Sequence, residues 1–430
     1  MDRTIEGKIY INGTFESCCL GITQGKISEI KKTLKSDDHI SFGSKLILPA
    51  GIDLHVHFRD PGFPKKEDFS SGSKAAAYGG ISCVYDMPNT NPQTITVEAI
   101  REKKKLAEKK SYVDFGLYAA ITDTNINQAQ ELGSVCNGFK IFLGASTNTL
   151  HLNERNLQVA FEEIMHTKKV TLIHAESETC LQQHKIVERN LKDHVQARPS
   201  ECEVTAIKNI LTHAKQITTP VHICHLSSLE GFELLRRRPA HITVGVTPHH
   251  LYFDCDTITG NETWYKVNPP LRSGFDRETL WYGIKNNSID VLESDHAPHT
   301  LTEKETEFDK APSGIPGVET MYPLLLAEVK KDALSFRQMI SLLCERPAQI
   351  LGIPKGKIEI GGDADFIVID FKKLQTIHAD ALHSKCGWTP FEGMPALFPM
   401  HVFVRGEQII DDYTLVGKPG YGTCIGESQR

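Results

Sequence analysis

The sequence predicts an α/β protein: a closed (β/α)8 TIM-type barrel with a small β-sandwich formed from the N- and C-terminal segments. Eight short apolar runs recur along the middle of the chain, helix-like segments separate them, and both chain ends contain short alternating strands instead. Continuous apolar strands that alternate with helices indicate a parallel sheet buried on both faces. Eight such units over roughly 300 residues suit a closed barrel.

The eight apolar runs define the order of the barrel strands. They are LILPAGIDLHVH (46–57), ISCVYDMP (81–88), DFGLYAAI (114–121), GFKIFLG (138–144), VTLIHAE (170–176), VHICHLS (221–227), ITVGVTP (242–248) and IDVLESDHAP (289–298). An open doubly wound sheet is the alternative, but it would need a glycine-rich phosphate loop after its first strand, and none is present. Ser200 and Glu203 have the spacing of a capping box, which predicts a helix start there.

The two chain ends differ from the middle and predict a second domain. Residues 1–45 and 356–430 contain short alternating strands broken by glycines and Asn-Gly turns. Neither segment alone has enough apolar surface for a core, so we expect the two to form one sandwich. Residues 46–355 form the barrel domain in this division.

Composition narrows the classes of protein. The 430 residues have a net charge of -6 without a basic stripe, which argues against nucleic acid as a partner. No apolar run approaches the roughly 20 residues that span a bilayer, and the charged N-terminus has no signal-peptide core. The eleven cysteines are scattered, so we interpret them as reduced thiols in a cytoplasmic protein with no membrane partner.

Polar residues recur at the ends of the predicted strands and indicate a metal site. In a (β/α)8 barrel the C-terminal strand ends surround one site, and residues two apart on a strand share a face. Buried imidazoles and a carboxylate beside one another are costly unless a cation holds them, and these ligands suit Zn²⁺ or a similar divalent ion. The polar residues at these strand ends are His55, His57, Lys140, His174, His225 and Asp295.

Lys140 is the unusual member of this set, because an ammonium has no lone pair and repels a metal. A neutral amine that had captured CO₂ as a carbamate would become a carboxylate able to bridge two ions. A buried lysine paired with an acid is the other interpretation, and the residues alone leave both open.

Several motifs resemble those of a known family over about residues 46–350. DLHVHFRDPG, MPNTNP, GFKIFLGAST, IHAE, CHLSS, NPPLR and SDHAPH resemble the dihydroorotases of the cyclic amidohydrolase superfamily. Several of these strings separate dihydroorotases from allantoinases and hydantoinases, which are the nearest rival functions. A non-catalytic scaffold is the other rival, but such a protein would be expected to lose ligands, and here all six positions are filled.

The resemblance implies a role for each matching residue. His55 and His57 would bind the first of two Zn²⁺ ions, and His174 and His225 the second. Lys140 would be the carboxylated lysine that bridges both; some bacterial members have an aspartate instead, but GFKIFLGAST resembles the lysine type. Asp295 would bind the first metal and act as the catalytic base. The implied substrate-binding residues are Arg59, Asn89, Asn268, His299, Ser313 and Gly314.

The reaction implied is the reversible cyclisation of N-carbamoyl-L-aspartate to L-dihydroorotate in pyrimidine biosynthesis. A water between the two cations would lose its proton to Asp295 and attack the ring carbonyl. The small-molecule substrate is the expected partner, and the family suggests a homodimer. The Arg59 guanidinium has two possible roles. It could bind the substrate carboxylate, or it could form a purely structural salt bridge to Asp60 or Asp68.

Three further features carry weaker expectations. Asn89 lies in a Pro-Asn-Thr stretch, so its role could be turn formation instead of substrate contact. Residues 300–320 form a charged stretch that resembles a loop over the site. His249 and His250 follow the seventh strand, and the sequence assigns them no role beyond packing or support of the ligands.

Overall fold

The computed structural model describes residues 1–144 and 150–426. Residues 145–147, the end of the GFKIFLGAST motif, therefore lie outside the described residues, as do residues 427–430.

The strands fall into three groups along the chain. The N-terminal strands are β1 (Arg3–Ile11), β2 (Thr14–Thr23), β3 (Lys26–Lys31) and β4 (His39–Pro49). The central strands are β5 (Gly51–Val56), β6 (Ile81–Asp86), β7 (Asp114–Ala120), β8 (Gly138–Phe142), β9 (Thr171–His174), β10 (Val221–Ile223), β11 (Ile242–Val246) and β12 (Val291–Leu292). The C-terminal strands are β13 (Phe366–Ile369), β14 (Gln375–Thr376), β15 (Pro395–Ala396), β16 (His401–Val404), β17 (Glu407–Asp411) and β18 (Thr414–Leu415).

The α-helices lie between β5 and β13. They are α1 (Phe69–Tyr78), α2 (Val97–Lys110), α3 (Ala129–Gly133), α4 (Leu157–Met165), α5 (Glu178–Gln183), α6 (Leu191–Ala197), α7 (Ser200–His213), α8 (Leu229–Leu235), α9 (Pro248–Tyr252), α10 (Gly274–Lys285), α11 (Leu301–Lys304), α12 (Met321–Lys330), α13 (Phe336–Ile340) and α14 (Arg346–Leu351). Within the described residues no helix combines the length and the apolar character needed to cross a membrane.

The central strands form the predicted barrel. Strands β5 to β12 are neighbours in chain order and every adjacent pair is parallel. Val56 bridges His296 in parallel, and the His57 N–H donates to the His296 carbonyl at 2.8 Å, so the first strand meets the segment after the last. Each of the eight predicted runs contains one of these strands, which confirms the fold class.

The terminal strands form a separate mixed sheet with the order β18-β17-β16-β13-β4-β1-β2-β3. Both chain ends contribute to it, as a sandwich built from both termini requires. Its apolar side includes Phe366 and Phe403, whose rings stack with centroids 4.4 Å apart. The expected boundary at residue 45 falls inside β4, which stays in this sheet until Pro49. We therefore propose a boundary between β4 and β5.

Only part of the C-terminal segment 356–430 belongs to that sheet. Ile377 and Phe391 pack against Leu324 of α12, and Trp388 packs with Val267 and other residues beside the barrel mouth. This segment covers the barrel because its apolar side chains find partners there, which the alternating pattern of the flanking strands did not reveal.

A buried ionic cluster joins the two domains. The Lys355 ammonium lies 2.7 Å from Asp114 on β7, 2.7 Å from Asp365 and 2.9 Å from Asp363. Arg405, which follows β16, forms an ion pair with the same Asp114. Buried charges are stable only when paired, so this cluster ties the barrel to the terminal sheet.

One cysteine pair departs from the sequence interpretation. Cys180 and Cys202 form a disulfide with their Cα atoms 5.2 Å apart, so the expectation that all the cysteines are reduced is wrong. The predicted capping box is wrong as well, although α7 begins where expected. Ser200 is the first helical residue, and Glu203 accepts hydrogen bonds from Ser227 and Ser228 instead.

Candidate active site

A cavity of about 260 Å³ opens at the C-terminal ends of the barrel strands. All twelve residues predicted from the sequence line it. They are His55, His57, Arg59, Asn89, Lys140, His174, His225, Asn268, Asp295, His299, Ser313 and Gly314. The structure thus brings the predicted residues together, while their individual roles stay predictions.

The first group of predicted ligands forms around the Asp295 carboxylate. The Nε2 atoms of His55 and His57 lie 3.2 Å and 3.1 Å from the same Asp295 oxygen. The Nδ1 of His55 faces a Glu293 oxygen at 3.2 Å, and the Nδ1 of His57 faces the Asn89 side-chain oxygen at 2.6 Å. Two ring nitrogens and one carboxylate oxygen thus converge on one point. With the proton on each Nδ1, both Nε2 lone pairs could bind a cation there.

His174 and His225 form the second group. The Nδ1 of His174 lies 3.1 Å from the Nε2 of His225, while the Nε2 of His174 faces Glu176 at 2.8 Å. The Nδ1 of His225 has no hydrogen-bond partner among the described residues, although the side chain is buried. Burial lowers the pKa of both histidines, and the nearby Lys140 charge lowers them further. Neutral imidazoles are the form that binds metals.

Lys140 is fully buried at the end of β8. Its Nζ donates to the Cys224 thiol at 3.1 Å and lies 5.1 Å from the centre of the Phe142 ring. No carboxylate of the described residues forms an ion pair with it, so the interpretation as a lysine paired with an acid finds no partner. A bare ammonium among imidazoles would be costly to bury. The carboxylation of this amine stays a prediction.

Asp295 is ionised at neutral pH. Burial raises the pKa of its carboxyl, but contact with His57 and the Lys140 charge outweigh that effect and lower the pKa below its ordinary value. Asp295, His225 and Arg59 all have positive φ, at 44°, 38° and 61°. Such backbone strain in non-glycine residues concentrates at functional sites.

Arg59 faces the cavity without an acidic partner. Its guanidinium donates to the Pro298 carbonyl and contacts the His299 ring, each at 3.2 Å, and no carboxylate of the described chain forms an ion pair with it. The expected rivals are occupied: Asp60 pairs with Lys110 and Asp68 with Lys385. Burial lowers the pKa of Arg59 to about 10. The salt-bridge interpretation is therefore wrong, and the arginine is available to an anion.

The remaining predicted substrate residues form one wall of the cavity. The Ser313 hydroxyl donates to the Asn268 side-chain oxygen at 3.2 Å, and the His299 Nε2 lies 3.1 Å from the Ser313 carbonyl. Gly314 has φ 147°, and a Cβ there would lie 2.3 Å from the Ala297 carbonyl oxygen. Only glycine fits that position. Asn89 does more than form a turn, because its oxygen orients His57.

Two buried glutamates support the histidines and were not singled out from the sequence. Glu293 contacts His55 and accepts the His225 backbone N–H at 2.6 Å. Glu176 contacts His174, and Arg198 forms an ion pair with it at 2.5 Å. A signal existed for both, since each glutamate lies two residues from a predicted ligand on the same strand end. Carboxylates that orient ligand histidines are common around metals.

The structure gives the two unassigned histidines different surroundings. The Nδ1 of His250 lies 2.7 Å from the Thr247 hydroxyl, and its Nε2 lies 3.1 Å from the Pro269 carbonyl. This ring therefore connects α9 to the NPPLR segment, in agreement with a packing role. His249 is fully buried, and neither ring nitrogen has a hydrogen-bond partner among the described residues.

Sequence comparisons place the chain among known proteins. The model of the amidohydrolase family matches residues 46–409. A dihydroorotase of Methanosarcina acetivorans is 40% identical over 439 residues, which cover 97% of this chain and 94% of that protein. A dihydroorotase of Thermoplasma acidophilum is 40% identical over 441 residues, with coverage of 100% and 99%.

Comparison with solved structures confirms the architecture. The L-hydantoinase (dihydropyrimidinase) of Arthrobacter aurescens superposes with a TM-score of 0.94 at 28% identity, covering 98% of this chain and 99% of that one. The two dihydroorotases, at 40% identity, are thus more similar to this chain in sequence than the solved hydantoinase is at 28%. The match over most of the chain, together with the His, Lys and Asp residues around one cavity, shows that this protein belongs to the amidohydrolase family.

Proposed function

We propose that this protein is a dihydroorotase, which interconverts N-carbamoyl-L-aspartate and L-dihydroorotate in pyrimidine biosynthesis. The observation that carries the proposal is Arg59, a buried cation that faces the cavity and has no acidic partner among the described residues. L-Dihydroorotate has a carboxylate away from its reacting amide bond, whereas hydantoin has none. The full-length relatives with the same name support the same substrate.

The residues around Asp295 fit two divalent cations, and we propose zinc. His55, His57 and Asp295 would hold the first ion, and His174 and His225 the second, with Lys140 as a carboxylated bridge between them. The convergence of the His55 and His57 Nε2 atoms on one Asp295 oxygen and the unpartnered Nδ1 of His225 support this assignment. When bound, the ions would supply Lewis acidity that makes a water acidic and polarises the ring carbonyl.

The chain itself supplies proton transfer and orientation. The ionised Asp295 carboxylate accepts a proton from the attacking water and returns it to the departing amide nitrogen. The Arg59 fork binds the substrate carboxylate through two parallel hydrogen bonds. Asn268, His299, Ser313 and Gly314 form the wall beside Arg59 and hold the ring in one orientation, which lowers the entropic barrier.

The test is an assay of purified protein reconstituted with zinc and bicarbonate. We expect hydrolysis of L-dihydroorotate, and cyclisation of N-carbamoyl-L-aspartate at lower pH, with metal analysis giving two ions per chain. Turnover of hydantoin or allantoin without dihydroorotate activity would replace this proposal by the rival amidohydrolase function. If the protein binds no metal and shows none of these activities, the alternative of a non-catalytic scaffold protein would be favoured.

We also propose a homodimer located in the cytoplasm. The homodimer rests on the family resemblance. The cytoplasmic location rests on the nine cysteines that stay free among the described residues. Light scattering coupled to size-exclusion chromatography tests the first, and cell fractionation with an antibody tests the second.

A further inference from the structure

A buried lysine that takes no part in the proposed chemistry lies behind one wall of the cavity. Lys304 ends α11, and its side chain is fully buried. Its Nζ donates to the carbonyls of Pro312 at 2.9 Å, Gly314 at 3.1 Å and Lys266 at 3.3 Å. Burial lowers the pKa of Lys304 to about 7. The three carbonyl acceptors, however, match the three N–H donors of the ammonium form.

The three carbonyls belong to two separate segments that line the cavity. Residues 312–314 line it directly, and Lys266 immediately precedes Val267 and Asn268, which also line it. The Gly314 N–H donates to the same Lys266 carbonyl at 2.9 Å. One buried cation therefore connects residues 266–268 with residues 312–314.

Trp388 from the C-terminal segment covers this connection. Its ring centroid lies 5.6 Å from the Lys304 Nζ, and its indole N–H donates to the His299 carbonyl at 2.8 Å. The indole is only 3% exposed, so water has little access to the ammonium. Hydrogen bonds between a charged donor and carbonyls are stronger in such surroundings.

We propose that Lys304 is a positioning residue for the substrate-facing wall: its ammonium holds residues 266–268 and 312–314 in register before substrate arrives. Asn268, Ser313 and Gly314 then contact the substrate without a further cost in ordering. This inference rests on the proposed function for the identity of the substrate, while the connection between the two segments depends only on the contacts above.

The first test compares two uncharged replacements. Lys304→Met keeps the length of the side chain and removes the three hydrogen bonds. Lys330→Met is the matched control, because Lys330 likewise donates to a carbonyl, that of Phe371 at 2.7 Å, and lies 5.0 Å from an aromatic centroid. Lys330 does not line the cavity. We expect Lys304→Met to raise the KM for L-dihydroorotate on the order of 10-fold to 100-fold, with unchanged metal content, and Lys330→Met to leave KM unchanged.

The second test separates positioning from general loss of stability. Lys304→Ala leaves a space that ethylammonium can enter, whereas ethanol has a similar size without the charge. We expect ethylammonium, but not ethanol, to lower the raised KM of Lys304→Ala. A folded Lys304→Met enzyme with the wild-type KM, or a Lys304→Ala enzyme that ethanol improves as much as ethylammonium does, would overturn the proposal.

Hydrogen exchange of the substrate-free protein makes the inference independent of turnover. The amides of residues 313–315 should exchange faster in Lys304→Met than in the wild type, while the Lys330→Met protein should match the wild type there. If the wild type fails to hydrolyse L-dihydroorotate but this difference is present, the proposed function fails and the positioning role stands. If the wild type is active and exchange is unchanged in Lys304→Met, the positioning role fails alone.

Discussion

Replacing Arg59 by methionine tests the substrate assignment most directly. The change removes the guanidinium from the cavity and keeps an apolar side chain of similar reach. It breaks no ion pair among the described residues, because the contacts of Arg59 are with the Pro298 carbonyl and the His299 ring. We therefore expect substrate binding to suffer and folding to be unaffected or improved.

The structure sets the size of the effect. Burial is the main cause that lowers the pKa of Arg59 from 12.5 to about 10. At about 1.4 kcal/mol per pKa unit, this shift corresponds to about 3.5 kcal/mol of unfavourable burial of the charge. A bound carboxylate would offset that cost, so loss of Arg59 should raise the KM for L-dihydroorotate roughly 100-fold.

The assay is steady-state hydrolysis of L-dihydroorotate, with metal analysis and thermal unfolding of the same samples. Arg238→Met is the control, because Arg238 also donates to backbone carbonyls, those of Leu235 and Ile242, but does not line the cavity. That variant should lower the melting temperature and leave KM unchanged. A KM for Arg59→Met within threefold of the wild type, at normal metal content, would refute the assignment.

Three further changes give independent expectations. Lys140→Ala should lose bound metal and nearly all activity, and short carboxylic acids such as propionate should restore part of both; full metal content and activity in this variant would exclude a bridging role. Asp295→Asn should lower kcat by on the order of 100-fold or more, because the proton acceptor is lost, as measured by turnover at saturating substrate; a kcat near that of the wild type would contradict the role. Asp114→Asn should lower the free energy of unfolding by about 3–5 kcal/mol, because Lys355 and Arg405 lose a buried partner, with KM unchanged; denaturant unfolding measures it. Burial raises the pKa of Asp114, but Lys355 and Arg405 lower it more, so the pKa in the folded protein lies below the ordinary 3.8. The stability that Asp114 contributes is therefore present above pH 3.8 and is lost as the pH falls through the lower folded value. In acid titrations, the difference in free energy of unfolding between wild type and Asp114→Asn should shrink over that range.

The predicted residues could be found from the sequence because the C-terminal ends of all barrel strands surround one site. A polar residue at the end of any strand therefore lies near that site. His55 and Asp295 are far apart in sequence, yet each ends a predicted strand. In the structure the Nε2 of His55 lies 3.2 Å from a carboxylate oxygen of Asp295. Local spacing also contained Glu293 and Glu176, but nothing in the sequence distinguishes a carboxylate that orients a ligand from one that faces solvent.

Three features of the structure were not predicted, because they depend on contacts between residues that are distant in sequence. Trp388 belongs to a segment that alternation assigned to the terminal sheet, and it covers the cavity wall because its apolar ring packs against Val267. Glu203 has capping-box spacing but bonds Ser227 and Ser228 across the barrel surface. The Cys180–Cys202 disulfide likewise depends on two helices, α5 and α7, that meet only after folding.

The seam between the first and last barrel strands has a consequence for synthesis of the protein. His55 and His57 emerge early from the ribosome, whereas Asp295 and the His296 carbonyl that closes the ring emerge only after all eight barrel strands. A nascent chain that ends before Asp295 therefore contains the four histidines predicted as ligands, but it lacks the carboxylate that lies between His55 and His57. Metal capture in the finished arrangement must wait until translation has passed this seam.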